Sequence, residues 1–232
     1  MTGSSGLQTE GSRLYGELIA VHTIMRRGAA LTATAFARLA SGEPMDIKVL
    51  VSTARWLTEF VHHHHASEDE LFWPVLRKLF PEAVADLDKL TAEHEALDAE
   101  LRALTTAVDS IAATGIKGEH AQAAAVGHAG LYGMPSSEMV HDILISHLDT
   151  EEPVLLDLFP RVPDADIVRL RKAIVDGAPR SGPYFVFGLL EDPERPPGYS
   201  DLVQNFPPPV RWLRPLLLNQ YRGRKKALGA LA

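Results

Sequence analysis

An all-α fold, an antiparallel up-down four-helix bundle with a C-terminal extension, is predicted for this 232-residue chain from three observations. Gly and Pro cut residues 13–160 into long segments, none of them alternates as a strand would, and apolar residues recur at spacings of three and four. Long helices joined by short turns pack as an antiparallel bundle.

The elements follow in order. Ser12 is placed to cap a first helix that runs to about Ala40, where "SGEP" stops it. Asp46 caps a second through about Leu79, with Pro74 expected to kink it or end it early. "FPE" opens a third, to about Ala112, and "GMPSS" precedes a fourth from about Ser137 to Phe159. The Gly-rich connection 114–137 reads as a partial helix folded over one end. Residues 1–12 are a tail, 13–160 the bundle and 161–232 an extension. The extension begins with a helix in "VPDADIVRLRKAIVDG", turns Pro-rich, and ends in "VRWLRPLLLNQYRGRKKALGALA", with six basic residues and no acidic one. Trp212, Leu213, Leu217 and Tyr221 are expected to dock this end on the bundle as a helix. Contact with a membrane surface or an acidic protein partner is the alternative use of its basic face.

Composition narrows the function. The chain is 46% apolar and 23% charged, the balance of a globular protein. No run approaches the ~20 apolar residues of a transmembrane segment. "MTGSSGLQTEGSRL" lacks the features of a secretory signal, so a cytoplasmic location is expected. The absence of Cys excludes thiolate metal sites, iron–sulfur clusters and thiol nucleophiles. A net charge of −7 argues against nucleic acid as the main partner.

The stretch "EFVHHHHASEDELFWPVL" carries four consecutive histidines, and helical register discriminates among them. The apolar seam of the second helix reads Leu50, Thr53, Leu57, Val61, His64, Glu68, Leu71, Val75. The frame through His63 collects Trp56, Glu59, Ser67 and Glu70, and that through His62 collects Arg55, Thr58, His65 and Asp69, both read as solvated. Register thus selects His64, with Glu68 about 40° round and ~6 Å along the same face. The fourth helix repeats the pattern in Val140, Leu144, His147, Glu151, Val154, Leu158. The third carries one seam histidine, His94, among Leu87, Leu90, Leu97, Leu101, Leu104 and Val108, and the first carries His22 among Tyr15, Leu18, Met25, Ala29, Thr32, Phe36 and Leu39.

A lone core histidine is usually just hydrogen-bonded, and a lone H-x-x-x-E is often a surface pair. Four seam imidazoles with two seam carboxylates differ, because burying all six without a shared partner is costly. Imidazole and carboxylate donors suit iron, manganese or zinc, and two carboxylates able to bridge suit a dinuclear centre. Two octahedral ions offer twelve positions. Four imidazoles, two bridging carboxylates and an oxo or hydroxo bridge leave two open for water or an oxygen species.

The segments "LIAVHTIMRR", "HHASEDELFWP", "LTAEHEAL" and "ISHLDTEEPVLLDLFP" resemble the hemerythrin-like family, whose members carry a His–His–Glu cation-binding domain. The resemblance implies a non-haem di-iron centre on His22, His64, Glu68, His94, His147 and Glu151, the six that register selects. Manganese or zinc fit less well. It also implies binding or activation of O2, peroxide or NO, as an oxidase, an oxygenase acting on a small organic substrate, or a peroxide-decomposing protein. The alternative is a module that binds, stores or senses oxygen or iron without turnover. One departure stands out: oxygen-carrying hemerythrins have a second histidine a turn away on the third helix, whereas Leu90 and Asp98 flank His94 here. Asp98 is read as an exposed acid, Tyr15 as a packed core residue, and His120, His128 and His141 as non-ligands.

Overall fold

The computed structural model describes residues 9–113, 119–178 and 181–230. Helix α1 (Glu10–Ala40) is capped by Thr9 rather than Ser12. The Thr9 hydroxyl accepts the Ser12 amide at 3.1 Å, so Ser12 lies in the first turn and is a recipient of the cap. Helix α2 (Ile47–Ser67) begins on Asp46, whose carboxylate accepts the amides of Lys48 and Val49.

Helix α2 does not run straight to Leu79. A π-helical turn, Glu68–Phe72, joins it to α3 (Trp73–Leu79), and Pro74 occupies the first turn of α3. A π turn inserts one residue into the helical count. From its last residue onward burial falls on Phe72, Trp73, Leu76 and Phe80, while the expected Leu71 and Val75 are only partly buried.

A short 3-10 turn at Pro81–Ala83 leads into α4 (Val84–Ala113). Helix α5 (Glu119–His128) passes through a second π turn, Ala129–Gly133, into α6 (Met134–Leu158). The fourth bundle helix therefore starts before Ser137, and the Gly-rich connection is largely helical; its residues 114–118 lie outside those described. Gly133 is used for close packing, since a Cβ there would stand 2.5 Å from ring atoms of Phe36.

Helices α1, α2, α4 and α6 make the bundle, and each packs against two of the others: α1 and α4 both touch α2 and α6. Two apolar clusters fill it. One includes Met25, Phe36, Val61, Leu97, Leu104, Leu144 and Leu148, and the other Leu18, Phe72, Leu76, Leu90, Leu155 and Phe159. On every helix the seam histidine falls between a residue of one cluster and a residue of the other: Leu18 and Met25 around His22, Leu90 and Leu97 around His94. A polar layer thus crosses the bundle between two apolar plugs.

The extension wraps this bundle with α7 (Asp164–Gly177), α8 (Pro183–Glu191), α9 (Tyr199–Gln204), α10 (Pro208–Trp212) and α11 (Arg214–Ala227). Helix α8, "PYFVFGLLE", was not anticipated from the sequence, yet Phe185, Phe187 and Leu190 are fully buried. Phe185 stacks on Trp56 with ring centroids 4.7 Å apart, which buries a face of α2 expected to be solvated. Of the four residues expected to dock the C-terminal end, Leu217 and Tyr221 do so, and a Cβ on Gly188 would lie 2.0 Å from the Tyr221 ring. Trp212 and Leu213 do not: they are 78% and 52% exposed, because they precede the stripe along which α11 meets α8. Buried Glu17 of α1 accepts hydrogen bonds from Arg171 and Asn205, fastening α7 and the end of α9 to the bundle. Among the described residues no helix is long and apolar enough to cross a membrane.

Candidate metal centre

The six residues selected by register meet in the polar layer. His22, Glu68, His94, His147 and Glu151 are at most 2% exposed, and the His64 side chain is 11% exposed. The imidazoles form two pairs: Nε2 of His22 and His64 lie 3.1 Å apart, and so do Nε2 of His94 and His147. Two nitrogens bound at ~2.1 Å and at right angles on one ion stand ~3.0 Å apart, so each pair has the spacing of donors to a common cation.

The carboxylates lie between the pairs. Glu68 Oε1 is 3.1 Å from His64 Nε2 and its Oε2 is 3.5 Å from His94 Nε2. Glu151 Oε2 is 3.6 Å from His22 Nε2 and 3.4 Å from His147 Nε2. Each glutamate therefore touches both pairs, as a bridging ligand would. All four carboxylate oxygens are buried without a hydrogen-bond partner. Unmatched buried carboxylate oxygens are costly, and a cation is the partner this donor set fits.

Three further acids, which lie off the seams, face the outer nitrogens of the rings. Nδ1 of His22 faces Glu152 Oε1 at 2.9 Å, Nδ1 of His147 faces Glu93 Oε2 at 3.0 Å, and Nδ1 of His94 faces both Asp69 oxygens at 3.2 Å. A carboxylate at Nδ1 holds the proton there and turns the Nε2 lone pair inward, the arrangement of histidines that ligate metals. The signal for these acids was in the sequence: each is adjacent to a seam residue, in "SED", "AEH" and "TEEP".

Electrostatics agree with a centre built for positive charge. Burial, reinforced by the neighbouring Glu151 charge, raises the Glu68 pKa well above the usual carboxylate value. Glu151 moves the other way: burial, which would raise it, is outweighed by His22, His147 and His64. Burial and the adjacent His22 push His64 well down, and burial and His147 lower His94. His147 is raised, the opposing effect of burial being outweighed by Glu151 and Glu93.

Two expectations about nearby residues are corrected. His65 is not on a solvated face: it is 2% exposed, stacks on His94 with centroids 4.2 Å apart, and burial lowers its pKa to about 3. The reason is that α2 lies between α1 and α4, so His64 turns to His22 on one and His65 to His94 on the other. Asp98 is half-buried rather than exposed, with Oδ1 3.0 Å from His62 Nδ1 and 3.9 Å from His65 Nδ1. Thr58, from the same frame as His65, is buried too, while His62 and His63 are partly exposed. Tyr15 packs against the second apolar cluster. His141 pairs with Asp142, His128 packs near Tyr132, and the side chain of His120 lies outside the described residues.

Fold and site define a helical-bundle cation-binding protein. The family model of the hemerythrin HHE cation binding domain matches residues 13–159, well over half of the chain, and the chain belongs to that family. No curated protein and no solved structure gives a significant match.

Proposed function

We propose that the centre holds two iron ions, one on His22 and His64 and one on His94 and His147, with Glu68 and Glu151 between them, and that it takes up O2, peroxide or NO. The observation that carries this reading is the set of four unpartnered, buried carboxylate oxygens flanked by two pairs of Nε2 atoms at 3.1 Å. When bound, an iron pair supplies one- and two-electron chemistry toward small oxygen species. The chain supplies the rest. Glu93, Asp69 and Glu152 hold the Nδ1 protons at the rim of the layer, and the two apolar plugs exclude bulk water from it.

Small ligands are favoured over an organic substrate. A cavity of about 460 Å³ is lined by Val51, Arg55, Trp56, Ser181 and Tyr184 among others, and none of the six centre residues borders it. Ala29 and Thr32, small enough to leave space beside the metals, are both 1% exposed and packed. Decomposition of peroxide, two H2O2 giving O2 and two H2O, needs no organic pocket and is the turnover this site best accommodates. The close packing also suits a second reading, a module that binds oxygen or iron without turnover. Oxygen evolution after adding peroxide to iron-loaded protein separates the two: evolution supports the enzyme, whereas near-ultraviolet absorption of a ferric pair without evolution supports the binding module. Loaded protein that shows neither contradicts both.

A further inference from the structure

His65 is a buried imidazole of the polar layer whose facing acid, Asp98, stands off at 3.9 Å. It is 2% exposed, and neither Nδ1 nor Nε2 makes a hydrogen bond. A neutral imidazole carries one N–H donor and one lone pair, so a packing role would be met better by Phe or Leu, which leave nothing unmatched. Side chains of the proposed metal centre surround it. The ring lies parallel to His94 at an interplanar angle of 11° and edge-on to His147 at 5.4 Å, so a turn of the His65 ring about χ2 is what brings a nitrogen lone pair toward an ion in the His94 plane. Donor atoms of His65, His94 and His147 all lie within 4.8 Å of one another. Nδ1 lies 3.9 Å from Asp98 Oδ1, a looser version of the ring-to-carboxylate contacts made by His22, His94 and His147.

We propose that His65 is a fifth imidazole donor to the centre, on the side of His94 and His147, with Asp98 as the acid that orients it. The inference rests on the dinuclear reading above. The donors then divide unequally, His22 and His64 at one end of the layer and His65, His94 and His147 at the other, with Glu68 and Glu151 between. The consecutive pair His64–His65 thereby serves both ends from a single helix, which is possible because α2 borders both α1 and α4. The side chain at Asp98, one turn beyond His94 on α4, orients this donor from the neighbouring helix.

The test is a count of metal–nitrogen bonds. Full-length protein labelled with ¹⁵N-histidine and filled with ¹¹³Cd(II) is expected to show five imidazole nitrogens split by one-bond coupling to cadmium. His65→Phe should show four and bind cadmium at least tenfold more weakly, while His62→Ala should keep all five. Two cadmium ions per chain with only four coupled nitrogens in the wild type overturns the role of His65 and leaves the dinuclear reading standing. Failure of the wild type to take up two ions overturns both. The wild-type count decides the matter even if His65→Phe does not fold.

Discussion

Glu152 Oε1 accepts the Nδ1 proton of His22 across 2.9 Å, joining two helices at residues 130 positions apart. Glu152 is also held by Arg26, so the acceptor is itself fixed in place. Burial, which would raise its pKa, is outweighed by these hydrogen bonds from His22 and Arg26, and it stays ionised. Loss of such an acceptor typically weakens metal binding ~10–100-fold. Glu152→Ala is therefore expected to lower affinity by that factor in a chelator competition without changing the number of ions bound. Unaltered affinity would show that the contact does not orient a ligand.

In the proposed centre, Glu68 sets metal binding against stability. Its pKa is raised by burial and by Glu151, so as an acid it contributes stability below its unfolded value of 4.5 that is lost as pH rises through the folded value. The metal-free protein takes on this cost progressively as pH rises through the folded value. Replacing buried charge by an apolar side chain of similar size often stabilises by ~1–4 kcal/mol. Glu68→Met should accordingly raise the urea midpoint of the metal-free protein at pH 7.5 and at the same time abolish dinuclear loading. A lower midpoint would contradict the electrostatic account.

The buried histidines predict an acid-sensitive metal-free state. His65, with a folded pKa of about 3 against 6.5 when unfolded, binds more protons unfolded across that window. Its contribution to stability is thus lost as pH falls from 6.5 toward 3. His64 and His94, lowered by burial, act in the same direction. His147 opposes them, because a raised value adds stability that is complete below 6.5 and lost as pH rises through the folded value. Urea midpoints of metal-free wild type and His65→Phe between pH 7 and pH 4 isolate the first contribution. The variant's profile should be the flatter of the two, and parallel profiles would contradict the assignment.

Register read along a single stripe picks out His22, His64, Glu68, His94, His147 and Glu151, which the bundle brings together, since polar residues inside an apolar seam are conspicuous. It failed for His65 because a bundle helix touches two neighbours, and the buried arc is wide enough to hold two consecutive residues. It failed again beyond Glu68, where the π turn moved burial from Leu71 to Phe72, a shift that apolar spacing alone does not encode. Trp56 was misplaced for a third reason: the covering surface comes from Phe185, more than a hundred residues away. Helix α8 itself is a near-continuous apolar run, which carries no periodicity to read.

The seat of α11 on α8 gives a prediction for the extension. A Cβ at Gly188 would lie 2.0 Å from the Tyr221 ring, so Gly188→Ala must displace that ring or the helix that carries it. Overpacking of this kind costs ~1–3 kcal/mol. The variant should lose that much stability in urea while binding the same number of metal ions, because α8 and α11 contribute none of the six centre residues. A fall in metal content at unchanged stability would instead tie the extension to the centre.

The proposed centre stands or falls on two cations held between the pairs His22–His64 and His94–His147. Elemental analysis of wild-type protein purified without chelators tests it most directly. Two iron atoms per chain are expected; a chain that carries none, or only one, would overturn the dinuclear reading.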